Sequence, residues 1–262
     1  MKPDISEFSY GYALTREIVQ KCGTALAGAP VFPSLIKEGY LGYDLELPIV
    51  GNPVFLQFKL SDYMKRWTAE GSDKVPIPHY RMHIRPLKHS QQHELLCALE
   101  KKGNKVFYAA PEFHVSEDLN EAYLKSEMIL RSAFFRPMAI GKLADEHEHF
   151  VCFNVGASYG YLCSEPIKVE RESSGAISEA FFGQPIDGDA QHLSARVYLE
   201  KIANELVSAW AERSAGPRRR LELLNEIRST RTAPEFLAWV SQALFDCAVF
   251  VRLQRKADVV ST

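Results

Sequence analysis

The segment GYDLELPIVGNPVFLQFKLS, from Gly42 to Ser61, places Asp44, Glu46, Gln57 and Lys59 inside two runs that are otherwise apolar. Strand alternation puts Gln57 and Lys59 on one face of FLQFKL, with Leu56, Phe58 and Leu60 on the other, and puts Asp44 and Glu46 on the face opposite Leu45 and Leu47. A two-residue turn at Gly51-Asn52 sets Val50 against Pro53, Asp44 opposite Lys59 and Glu46 opposite Gln57, so that all four polar groups meet on one side. Pro53 cannot donate a ladder hydrogen bond, and a longer loop would change that register. Two carboxylates, an amide and an ammonium on one face admit two readings. One is a solvated hairpin face closed by an Asp–Lys cross-strand pair. The other is a polar site in which acceptor oxygens stand beside a fixed cation and handle a charged ligand.

The elements that must position these residues alternate in type. Thr15 to Leu26 has helical periodicity and ends before Pro30 and Pro33. The runs YDLELPIV and VFLQFKL read as a hairpin. Ser61-Asp62 caps a helix, SDYMKRWTAEG, closed by Gly71. HYRMHIR, His79 to Arg85, alternates as a strand, and Ser90 opens a helix that ends at Gly103 with lysines in its last turn. NKVFYAAP is a buried strand, and Ser116 caps a helix running to Arg131. Further strands lie between 138 and 165, a loose stretch covers 172–191, and the chain is helical in pattern from Leu193 onward. The expectation is an α/β fold with a mixed central sheet flanked by helices: a core over 1–170, a linker or loop over 171–192, and a helical C-terminal appendage over 193–262.

An acidic residue, then Gly-x-Asp opening a strand, then a hairpin, then Glu or Gln two residues before Lys in an apolar strand resembles the PD-(D/E)XK superfamily of restriction-endonuclease-like nucleases. Here the pattern reads Glu38, Gly42-Tyr43-Asp44 and Gln57-Phe58-Lys59, with Ser61 after the lysine. The element order is similar to that family's αβββαβ core over roughly residues 9 to 110. Gln57 departs from the usual carboxylate, as in the QxK variant of Mrr-type restriction enzymes. The resemblance implies a restriction-endonuclease-like sheet and a Mg²⁺- or Mn²⁺-dependent DNA endonuclease, of a bacterial restriction or anti-phage defence system. It also implies roles: Asp44 as the essential metal ligand, with the Gln57 amide oxygen, the Phe58 main-chain carbonyl and Glu38 completing the shell. Lys59 orients the attacking water or stabilises the transition state. An amide oxygen ligates Mg²⁺ without adding charge, so metal affinity falls unless Glu38 or Glu46 restores it. The alternative is a catalytically inactive nuclease-fold subunit that binds partners in a defence complex.

Other constellations are weaker. His79, His83, His89 and His93 cluster with Arg81, Arg85 and Lys88, and this stretch reads either as a phosphate-contacting surface, with Gln91, Gln92 or His93 facing the site, or as a polar strand edge and capped helix. His147-Glu148-His149 reads as solvated surface. Phe134, Phe135 and Tyr159-Gly160-Tyr161 read as core, and Pro217-Arg218-Arg219-Arg220 as an exposed helix start or, as the lesser alternative, a nucleic-acid contact. No GxSxG, HExxH or glycine-rich phosphate loop occurs. The 262 residues carry a net charge of −2, so a nucleic-acid partner needs a local basic patch. The five cysteines show no CxxC spacing and read as buried thiols. With no signal-like N-terminus and no membrane-length apolar run, a cytoplasmic protein without membrane contact is expected. The apolar residues of FLAWVSQALFDCAVFV exceed what one exposed helix buries, so this segment either docks on the core or forms the interface of a homo-oligomer or larger complex.

Overall fold

Strands that are apolar on both faces need cover on both sides, and three runs of this chain have that character. The computed structural model describes residues 1–22, 54–67, 71, 73–88, 92–143 and 147–182, with individual residues between 200 and 250. Strands β1 (Val54–Phe58), β4 (Lys105–Pro111) and β5 (Ser132–Phe135) are buried almost throughout and lie side by side in the order β5-β4-β1, part of a mixed sheet. β4 and β5 are antiparallel, Tyr108 facing Phe135 and Pro111 facing Ser132. A larger antiparallel sheet has the order β2-β3-β6-β7-β8, built from Ser61–Met64, His79–Ile84, His149–Phe153, Tyr159–Leu162 and Ile167–Glu170.

Helix α1 (Glu7–Cys22) begins well before the expected Thr15, because Ser6 caps it: the Ser9 N–H donates to Ser6 Oγ at 2.9 Å. It packs through Tyr10, Leu14 and Ile18, all buried, and Tyr10 donates to Ser132 Oγ at 2.8 Å. Burial drives the Tyr10 hydroxyl pKa above its ordinary value. Gly11 lets the helix approach β1, since a Cβ there would sit 3.0 Å from the Phe58 ring. Further helices are α2 (Gln92–Lys101), α3 (Ser116–Lys125), α4 (Pro137–Ile140) and α5 (Ser174–Phe182). Buried Glu100 of α2 accepts from the Met138 N–H at 2.7 Å and from Arg136 Nε at 2.6 Å, which satisfies the start of α4.

Several expectations are corrected. SDYMKRW is not a helix; Ser61–Met64 pairs with β3, where Asp62 faces Arg81 and Tyr63 faces Tyr80. Cross-strand partners outweigh the local Ser-Asp capping signal, which also suits a strand end. Ser116 is the first helical residue of α3, and the cap is Val115, without a side-chain hydrogen bond. The loose stretch after 171 contains α5, capped by Ser173 Oγ, which accepts from the Ala176 N–H at 3.1 Å. In the tail read as helical, the described residues 203–204, 206–208, 235–237 and 239–241 are helical, whereas Ala248–Phe250 is a strand, β9. The expected hairpin strand over 43–50 and the helix end at 23–26 lie outside the described residues, as does Ser90.

The chain divides into two compact units, Met1–Lys21 with Phe55–Gly183, and Cys22–Val54 with Gln184–Thr262. In the second, Phe236, Leu237, Trp239 and Val240 are buried within the chain, which removes at those positions the apolar surplus that motivated an oligomer. No helix among the described residues is long and apolar enough to cross a membrane.

In the first unit, buried Glu112 follows β4 and pairs with Arg171, which follows β8; their side chains are 4% and 9% exposed. Glu112 Oε1 also accepts from the Gly156 N–H at 2.8 Å, and Arg171 donates to the Ser132 carbonyl at 3.1 Å. Glu112→Gln strands the arginine charge in a dry site and should lower the unfolding free energy by about 3–5 kcal/mol, whereas Glu112→Gln with Arg171→Met should cost less than the single change. Urea titration of the two variants measures this; a single variant as stable as wild type contradicts it.

Burial also holds His93 and His114 below the ordinary histidine value. The unfolded chain takes up protons near pH ~6.5 that the folded chain refuses, so their contribution is complete above that pH and is lost as pH falls toward the lowered folded values. Urea midpoints should therefore decline between about pH 7 and about pH 5, and less steeply in His93→Gln. Identical slopes for variant and wild type would remove His93 from this account.

Candidate functional site

β1 ends at Phe58, yet its ladder with β4 continues for one residue, because the Lys59 N–H donates to the Ala109 carbonyl at 2.9 Å. That bond fixes the lysine main chain against a fully buried strand. Gln57 is 2% exposed, and its Nε2 donates to the Phe58 carbonyl at 3.2 Å. The Phe58 ring turns the other way and meets Tyr10 edge-on, centroids 6.1 Å apart. The Lys59 ammonium donates to Gln92 Oε1 at 3.0 Å.

Gln92 is the first residue of α2, and the next residue sets where that helix starts. His93 is buried, stacked on Tyr108 with ring centroids 5.9 Å apart; Nδ1 is 3.0 Å from the Tyr108 hydroxyl and Nε2 is 2.7 Å from the Gly141 carbonyl. With His93 anchored inward, Gln92 emerges beside Lys59, since successive helical residues point about 100° apart. Of the residues named from sequence, the structure thus brings Gln57, Phe58, Lys59 and Gln92 together at the end of β1. His93 supports this group from inside, and both its ring nitrogens are engaged, which leaves none for a phosphate.

The other basic candidates lie elsewhere. Arg81 sits on β3, holds Asp62 through Nε at 3.3 Å and Nη2 at 3.2 Å, and lies over the Phe150 ring at 4.2 Å. Lys2 shares the same carboxylate at 3.1 Å. Arg81 is thus part of the β2–β3–β6 sheet surface. Arg85 and Lys88, in the turn after β3, are exposed. His83 pairs with Glu148, and His79 is buried in β3. His149 corrects the solvated reading of 147–149: it is fully buried and its Nδ1 meets Ser164 Oγ at 2.8 Å. Phe134 and Phe135 are core as read, whereas Tyr159 is exposed beside Lys168, whose ammonium stands 3.9 Å from the ring centroid.

Asp44, Glu38 and Glu46 lie outside the described residues, and so do His89 and Gln91. Among the described residues, no group of three or more His, Cys, Asp or Glu is arranged to hold a metal. The donors present at the end of β1 are the Gln57 amide and the Phe58 carbonyl, neutral hard oxygens of the type Mg²⁺ and Mn²⁺ accept. They fit such an ion in kind. For such an ion, negative charge would have to come from other groups.

Gln92 is the site residue that sequence reasoning left among three candidates. The signal that separates it from His93 is the 3.6-residue period of α2, in which His93, Leu96, Leu99 and Glu100 are buried. Compared with known proteins, the chain matches no family model, no curated sequence and no solved structure.

Proposed function

We propose that the protein is a metal-dependent nuclease of the restriction-endonuclease-like type, acting on DNA, with Gln57-Phe58-Lys59 as its active-site strand. The observation that carries this reading is the Lys59–Gln92 contact: a lysine ammonium fixed at the end of a buried strand, beside the N-terminus of a ten-residue helix. Two positive electrostatic ends at one place are unfavourable alone and favourable once an anion arrives, and phosphate is the anion that this combination suits. The order α1, β1, β2, β3, α2, β4 has the helix and strand sequence of the core expected from the resemblance, with β1 beside β4, although β2 and β3 belong to the other sheet.

In this reading Asp44, the Gln57 amide oxygen and the Phe58 carbonyl would hold the ion, with Glu38 adding charge. A Mg²⁺ or Mn²⁺ ion, when bound, supplies a water of lowered pKa and neutralises the phosphate oxygens. Lys59 orients the attacking water or takes up charge that develops on the phosphate, and its bond to Gln92 restricts the rotamers of a long side chain before substrate arrives. Arg85 and Lys88 are exposed cations available to the duplex backbone, contacts that carry affinity rather than sequence preference.

Gln57 favours a second reading, in which the chain keeps the nuclease fold as a non-catalytic subunit. Its amide is neutral, and it already closes on its own main chain.

Plasmid cleavage with Mg²⁺ or Mn²⁺, with and without a chelator, separates the two. Lys59→Ala and Asp44→Ala should each lower the cleavage rate by about 10²-fold or more, the usual effect of removing a group that stabilises the transition state. Lys59 is only half-buried, so its truncation opens no core cavity and the melting temperature should stay nearly constant. Full activity in either variant removes the nuclease reading.

Gln57→Glu gives a second, independent readout. A carboxylate at this buried position loses the donor to the Phe58 carbonyl and places anionic oxygen against it, so in the absence of metal the variant should melt lower than wild type. If position 57 faces an ion, Mg²⁺ should raise the melting temperature of the variant by more than that of wild type. A destabilised variant indifferent to metal assigns position 57 to the non-catalytic reading.

A further inference from the structure

The antiparallel pairing of β6 and β7 sets Cys152 opposite Tyr161, and Cys163 lies two residues farther along, hence on the same face. The two Sγ atoms are 2.7 Å apart, closer than two unbonded sulfurs ordinarily rest, although both residues are thiols in this structure. Cys152 is fully buried and Cys163 is part-exposed; the Cys163 thiol also points to the Tyr161 carbonyl at 3.7 Å. A third element closes over the pair. Gly71 is buried at φ +84°, and a Cβ built on it would lie 2.7 Å from Cys152 Sγ and 2.8 Å from Cys163 Sγ. Only a residue without a side chain fits over the two sulfurs at position 71, and the part-exposed Cys163 is the one solvent reaches first.

We propose that Cys152 and Cys163 form a modification site, a dithiol that a small peroxide oxidises reversibly to an inter-strand disulfide. The part-exposed Cys163 thiolate attacks one peroxide oxygen, the O–O bond breaks, and the leaving hydroxide takes up the displaced proton as water. This leaves a sulfenic acid on Cys163. Cys152 Sγ then attacks that sulfur: the S–S bond forms, the S–O bond breaks, and the second water leaves with the Cys152 proton. Two thiols and one hydrogen peroxide give one disulfide and two waters, the thiols supplying both electrons. Cys97, part-exposed with Sγ 3.6 Å from His93 Nε2, serves as the internal control.

The test uses the full chain. Reduced protein is exposed to one equivalent of hydrogen peroxide, remaining thiols are alkylated, and peptides are mapped without reduction. The expected result is a peptide pair joined through Cys152 and Cys163, lighter by two hydrogens and released by dithiothreitol, with Cys97 alkylated. The oxidised protein should also melt higher by on the order of 5 °C, the effect of cross-linking a short loop in the unfolded chain, and reduction should reverse it. Cys163→Ser should lose both the link and the shift; because wild-type mapping alone decides the question, a variant that fails to fold leaves the test intact. Recovery of both cysteines alkylated, a link that engages Cys97, or a link that forms only after denaturation overturns the proposal. Cleavage activity plays no part in these readouts, so they stand apart from the nuclease reading.

Discussion

The first unit depends most on the buried pair of Glu112 and Arg171. A charge removed from water needs its counter-charge and a full set of hydrogen bonds, and this pair obtains them only if four parts of the chain arrive together. Glu112 closes β4; Gly156, in the turn between β6 and β7, donates to it; Arg171 leaves β8 and donates to the Ser132 carbonyl, at the start of β5, and to the Ala157 carbonyl at 3.3 Å. The main chain repeats the message. Phe135 bridges to Arg171, and the Glu172 N–H donates to the Phe134 carbonyl at 2.9 Å, so the exit of the five-stranded sheet becomes a partner for the edge of the mixed one. The pair thus joins two sheets at one relative position, a service of specificity as much as of stability.

The position of Lys59 follows from that constraint. β5 and β4 are held by Glu112 and Arg171, and β4 in turn presents the Ala109 carbonyl to Lys59 and the Tyr108 ring and hydroxyl to His93. His93 fixes the first turn of α2, and Gln92 is carried to the lysine. Among the described residues, the position of the lysine is therefore set by interior contacts of β4 and α2, which helps hold a flexible side chain to one rotamer.

How much of this is legible in the sequence depends on how local the deciding interaction is. β3, β4 and α2 can be read because alternation, unbroken apolar runs and helical periodicity are properties of the segment itself. The Lys59–Gln92 neighbourhood was legible as a short list, since a lysine after an apolar strand and a polar helix start are local signals while their meeting is not. Ser61–Met64 was misread because its strand character lies in Tyr80, Arg81 and Met82 across the sheet, and β5, α4 and β8 escaped because each is four residues long, too short for a period to show. His149 looked solvated because its neighbours Glu146, His147 and Glu148 are polar. Its burial is decided by Ser164, fifteen residues away, which gives the ring a partner inside.

The neutral residue at position 57 has its own physical logic. A carboxylate so deeply buried would demand a counter-charge at every moment, folding included, whereas the Gln57 amide closes on the Phe58 carbonyl of its own strand and is satisfied without any cation. The cost is electrostatic, because an ion met by amide and carbonyl dipoles gains less than one met by full negative charges. Under the nuclease reading, the missing charge has a natural source in the substrate, since Mg²⁺ is commonly held by one or two carboxylates together with phosphate oxygens. On that reading, a glutamine here in place of a carboxylate would tie metal binding to the arrival of the nucleic acid and leave the fold independent of the ion.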